Sequence, residues 1–91
     1  MPKTEIYTKS WCPFCARAKE DLERLGIEFE EIDVTTDTRR EREMQRRAQR
    51  HTVPQIFVGG QHLGGSDDLR AAEHSGELAE LIESVVTEVL A

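Results

Sequence analysis

Cysteine is nearly missing from this chain: of its 91 residues only Cys12 and Cys15 carry a thiol. A structural zinc site wants four ligands at recognisable spacing, and two thiols supply half of that. His51, His62 and His74 do not fall at zinc-finger spacing from them, and Pro13 restricts the backbone between the two sulfurs. Long apolar runs are missing as well. No stretch approaches the roughly 20 residues that cross a bilayer, and Met1-Pro2-Lys3-Thr4-Glu5 holds no apolar run of signal-peptide kind. No membrane partner is expected, and a reducing compartment, the cytoplasm, is the expected location. There, two cysteines this close serve catalysis or regulation rather than a structural staple. Broad positive charge is also absent. A net charge of −6 argues against general nucleic-acid binding, which needs an extended basic footprint. With no repeat, linker or low-complexity tract, residues 1–91 read as one small domain with one core.

The charge that is present is uneven. Residues 39–50 carry six arginines against two glutamates, whereas residues 66–91 carry seven acids against one arginine. Such a basic patch is most often a solvated helix face, but it permits a local site for a small anion.

Trp11-Cys12-Pro13-Phe14-Cys15 is the stretch with chemistry in it. A β-prone segment, Glu5 to Thr8, precedes it, and an amphipathic pattern follows, with Cys15, Ala18, Leu22 and Leu25 on one helical face. Cys12 therefore stands at a helix N-terminus, where unpaired N–H groups and the macrodipole favour a thiolate over a thiol. Pro13 suits the first helical position, since its missing N–H would have had no partner there. Lys9 adds a cation nearby, and Cys15, one turn inside the helix, is the less exposed thiol. The combination predicts a redox-active pair.

Along the chain, Gly26 closes the first helix as its C′ residue. Glu28 to Asp33 reads as a second strand, parallel to the first through a right-handed crossover. Asp37 caps a helix over Thr38 to Arg50, with Met44 and Ala48 its buried points. Gln55 to Val58 and Gln61 to Leu63 form a hairpin about Gly59-Gly60. Pro54, at the mouth of the hairpin, reads as trans on statistics alone. Ser66 or Asp67 caps a short helix through His74, and Leu78, Leu81, Ile82, Val85 and Val89 stripe a last one. The predicted order is β-α-β-α-β-β-α-α: an α/β fold with helices covering both faces of a four-stranded mixed sheet.

Three motifs in register, Tyr7-Thr8-Lys9 with Cys12-Pro13-Phe14-Cys15, Thr52-Val53-Pro54-Gln55-Ile56-Phe57, and Gly64-Gly65-Ser66-Asp67-Asp68-Leu69, make nearly the whole chain resemble the dithiol glutaredoxins of the bacterial glutaredoxin 3 type. The resemblance implies the thioredoxin fold, in which Pro54 is cis and faces the cysteines. It implies a glutathione-dependent thiol–disulfide oxidoreductase, with Cys12 the nucleophile and Cys15 the resolving thiol. The implied glutathione contacts are Lys9, Phe14, Thr52, Val53, Pro54, Gly65, Ser66 and Asp67. Val53 would offer its backbone as an added strand does, and the helix start at Gly65-Ser66-Asp67 would take a carboxylate. Asp67 would meet the ligand's α-amino group. Lys9 would serve the glycyl carboxylate, with Arg39, Arg40 or Arg42 as further candidates.

Three positions depart from the pattern. Phe14 stands where many members have Tyr, Ser66 where several relatives have a third cysteine, and Trp11 is unusual before the motif. Glutathione is the expected co-substrate and disulfide or glutathionylated proteins the expected partners of a monomer, with no metal. Two other readings stay open. One is a [2Fe–2S] carrier joined through the first cysteine of each subunit and two glutathiones, favoured by Trp11 and opposed by Pro13. The other is a hydrogen donor reduced by thioredoxin reductase, which the basic patch and Lys9 disfavour.

Overall fold

In the computed structural model residues 3–90 are described, the side chains of α4 beyond Val85 excepted, so Val89 of the predicted stripe lies outside the described residues. The elements are β1 (Thr4–Thr8), α1 (Pro13–Arg24), β2 (Glu30–Asp33), α2 (Thr38–Ala48), β3 (Gln55–Val58), β4 (Gln61–Gly64), α3 (Ser66–Ser75) and α4 (Glu77–Leu90). The order is the one the sequence predicts. The sheet runs β2-β1-β3-β4, with β1 parallel to β2 and the β1–β3 and β3–β4 pairs antiparallel.

Alternation along the central strands builds two cores, one on each face of the sheet. Ile6 and Ile56 point to the side packed by Ala18 and Leu22 of α1, Leu69 and Ala72 of α3 and Leu78 of α4. Tyr7 and Phe57 point to the other side, under Met44 and Ala48 of α2. Their rings meet edge to face at 5.8 Å between centroids, and the Arg47 guanidinium lies 4.0 Å over Phe57. The thin amphipathicity of α2 is thus sufficient, because two buried side chains meet two aromatics. With helices on both faces of a mixed sheet, this is the thioredoxin fold.

Several boundaries differ from expectation. Helix α1 is not among them, since Gly26 is its C′ residue as expected, in a Schellman motif where the Ile27 and Gly26 N–H groups donate to the Leu22 and Glu23 carbonyls at 2.9 and 3.0 Å. Strand β2 begins at Glu30 rather than Glu28, without a bulge against β1. Helix α2 stops at Ala48 because Gln49 turns left-handed (φ 56°) and its amide caps the Arg46 carbonyl at 2.8 Å. The cap of α3 is Gly65 rather than Ser66 or Asp67, because the Asp68 carboxylate reaches back to accept the Gly65 N–H at 2.8 Å. The Val53–Pro54 bond is cis, as the resemblance implies and the statistical reading does not.

Candidate active site

Four chain segments meet around Cys12. The β1–α1 loop is pinned where the Ser10 N–H donates to Thr35 Oγ1 at 2.8 Å, and Thr35 is held in turn by Asp33 at 2.6 Å. Pro13 is the first helical residue and Cys12 the N-cap, with extended backbone (φ −111°, ψ 101°). Its sulfur accepts the Cys15 N–H at 3.2 Å, the bond an N-cap side chain makes with an otherwise unpaired donor. The Val53 carbonyl lies 3.8 Å from the same sulfur on the far side.

The two thiols live in different surroundings. Cys12 is half-buried and Cys15 buried, and both are free. Burial first, and the hydrogen-bonded Cys12 sulfur second, push the Cys15 thiol up to about 12. Desolvation disfavours the charged form of any thiol, so Cys15 is a protonated reserve rather than a standing nucleophile.

Beside Cys12 opens a cleft of about 290 Å³. Phe14, Thr52, Val53, Pro54, Gly65, Ser66 and Asp67, seven of the predicted contacts, line it together. Gly65 has no side-chain acceptor, so first-turn N–H groups of α3 stay open to an anion. Two acids at such an N-terminus would repel a carboxylate, but each has a cation partner. Arg17 donates to Ser66 Oγ at 2.6 Å and to Asp67 Oδ1 at 2.5 Å, while its guanidinium sits 5.0 Å over the Phe14 ring. Arg50 donates to Asp68 Oδ2 at 2.7 Å, which together with the Gly65 N–H keeps that carboxyl below its usual range.

Arg17 and Arg50 were not anticipated. The spacing of Arg17 from Phe14 (i, i+3 on α1) is a readable signal that both share a face. That Arg50 turns back to α3 follows only from the left-handed Gln49. Ser66 is buried and accepts from Arg17 at 2.6 Å.

Lys9 lies in an adjoining groove with Ser10, Trp11, Cys12 and Pro13. It is ion-paired with Glu41 of α2. Arg39, Arg40 and Arg42 line neither depression. Arg40 pairs with Glu43 at 3.0 Å, Arg42 borders a separate hollow with Gln45 and His51, and Arg39 is exposed. The burial of Met44 and Ala48 sets the roll of α2, and that roll brings Glu41 to Lys9 in place of an arginine.

Known proteins resemble this chain in sequence and in fold. The glutaredoxin family model matches residues 4–63. Glutaredoxin 3 of Escherichia coli is 45% identical over 83 residues, 91% of this chain and all of that protein. The solution structure of a glutaredoxin from Brucella melitensis, 50% identical, superposes with a TM-score of 0.79 over 90% of this chain and 89% of that one. A buckwheat glutaredoxin–glutathione complex shares the fold at 24% identity, with a TM-score of 0.80 over 90% of this chain and 77% of that one. A thiol pair of unequal burial on a helix N-cap, a cis-proline beside it and relatives of this kind lead to one conclusion: the chain belongs to the glutaredoxin family of thiol–disulfide oxidoreductases.

Proposed function

We propose that the chain reduces glutathionylated mixed disulfides and protein disulfides with glutathione as its reductant, through Cys12 as nucleophile and Cys15 as resolving thiol. The observation that carries this reading is the asymmetry of the pair: one sulfur accepts a helix N-terminal N–H at the mouth of a cleft, and the other is buried and protonated.

In the first step the Cys12 thiolate attacks the glutathionyl sulfur, the substrate's disulfide breaks, and the substrate leaves as a thiolate. Glutathione, now bonded to Cys12, lies in the cleft with its backbone along Thr52-Val53-Pro54 and its carboxylate at the start of α3. A second glutathione thiolate attacks that sulfur and releases oxidised glutathione and the Cys12 thiolate. On a protein disulfide, Cys15 attacks Cys12 in the mixed disulfide and its proton passes to the leaving thiolate. Glutathione reopens the resulting Cys12–Cys15 bond. The Cys15 N–H held on the Cys12 sulfur stabilises charge there whenever Cys12 is the leaving group.

Kinetics of the two serine variants test this reading. Cys12→Ser is expected to abolish all turnover. Cys15→Ser is expected to keep deglutathionylation and lose reduction of protein disulfides. Residual turnover by Cys12→Ser, or full protein-disulfide reductase activity in Cys15→Ser, would overturn the assignment.

A further inference from the structure

Trp11 is the only tryptophan in the chain, and it stands 99% exposed, one residue before the nucleophile. Its backbone is left-handed, at φ 58°, a region that a bulky L side chain enters at a steric cost. The loop that carries it is not slack, because the neighbouring Ser10 N–H is tied to Thr35. The fold therefore holds its largest apolar side chain out in water on a pinned loop beside Cys12. Exposed large apolar surface next to a site marks a contact for a partner.

Two depressions flank the active-site turn, one lined by Phe14 and Val53 and the other by Trp11, Cys12 and Pro13. One is the cleft proposed above for glutathione. The other, about 510 Å³, contains Trp11 and Cys12. Its two cations are already paired, Lys9 with Glu41 and Lys19 with Glu31 at 3.0 Å, and the Asp33 carboxylate is hydrogen-bonded by Thr35. With both cations of the groove already paired, the indole is its largest apolar recognition element. Thiol–disulfide exchange also sets a direction. The attacking, central and leaving sulfurs lie in line, so the substrate's sulfur sits beyond the glutathionyl sulfur as seen from Cys12. With glutathione filling the first cleft, the second depression is the one left beside Cys12 for the polypeptide.

We propose that the Trp11 groove receives the polypeptide half of the mixed disulfide, and that Trp11 selects targets with an apolar residue next to the modified cysteine. This rests on the glutathione-dependent reading given above. Tryptophan suits the task, since it offers a large rigid surface and loses little conformational freedom on docking.

Two glutathionylated peptides test it, alike except for Leu or Ser directly after the modified cysteine, each assayed with glutathione as reductant. The wild-type protein should favour the Leu peptide by about tenfold in kcat/KM, equivalent to about 1.4 kcal/mol. Trp11→Asn, whose side chain tolerates the left-handed backbone, should bring that ratio close to one, and Trp11→Phe should restore part of it. Added to the Cys12→Ser protein, which cannot turn over, the Leu peptide should shift the single tryptophan's emission to the blue. A wild-type ratio near one, or a Trp11→Asn ratio unchanged from wild type, would overturn this inference while the glutathione reading stands. Absence of turnover on both peptides by the wild-type protein would overturn the glutathione reading itself.

Discussion

Cys15 should be nearly inert towards alkylation in the folded protein, and the structure supplies the size of the effect. Its thiol is pushed from an ordinary value of 9.0 up to about 12. At pH 7 the thiolate population is then roughly a thousandfold smaller than in the unfolded chain, since each pH unit is a factor of ten. A more basic thiolate is more nucleophilic, with a Brønsted slope of about 0.4–0.5, which returns roughly 16- to 32-fold. Ionisation alone thus predicts protection of about 30- to 60-fold, and the 2% exposure of Cys15 adds a steric barrier on top. The assay is a pulse of iodoacetamide at pH 7 with each cysteine quantified by mass spectrometry, first in buffer and then in urea. The unfolded chain provides the reference rate. Folded Cys15 reacting within about fivefold of that rate would refute burial as the cause of the asymmetry, whatever Cys12 does.

The same shift predicts alkaline instability. The unfolded chain releases the Cys15 proton near 9.0 and the folded one near 12, so the unfolded state binds fewer protons in between. Stability of the reduced protein should fall by up to about 1.4 kcal/mol per pH unit across that window, and urea titrations of Cys15→Ala should show a shallower fall. Glu41→Gln frees Lys9 from its internal carboxylate. The pair is partly exposed and is worth less than about 1 kcal/mol, so KM for glutathione should drop by up to about fivefold, and a rise would show that Glu41 positions Lys9 rather than competing for it. Gly64→Ala meets a left-handed backbone (φ 124°) and would put a methyl 2.4 Å from Asp68 Oδ2, the oxygen that caps α3. A loss of about 1–3 kcal/mol is expected in thermal unfolding. Gly60→Ala, with nothing within 4 Å of its new methyl, is the control and should lose less.

Local sequence determined a good deal of this protein. The apolar spacing along α1, the Asp37 cap and the Gly59-Gly60 turn each depend on residues close in the chain, and the structure reproduces all three. Alternation along β1 turns Ile6 and Tyr7 to opposite faces of the sheet, but which helices cover each face is settled by the tertiary packing. The thiol pair at a strand-to-helix junction was legible locally too: a helix N-terminus acts on the residue that begins it. Tertiary structure decided everything that depends on where a helix rolls or a loop returns. Arg17 meets Ser66 across 49 positions of chain and Arg50 meets Asp68 across 18, separations over which no periodicity carries information. Glu41 rather than Arg39, Arg40 or Arg42 faces Lys9, because the packing of Met44 and Ala48 against Tyr7 and Phe57 turns α2 that way. The raised proton affinity of Cys15 belongs to the same class, since desolvation exists only once other elements have closed over the sulfur.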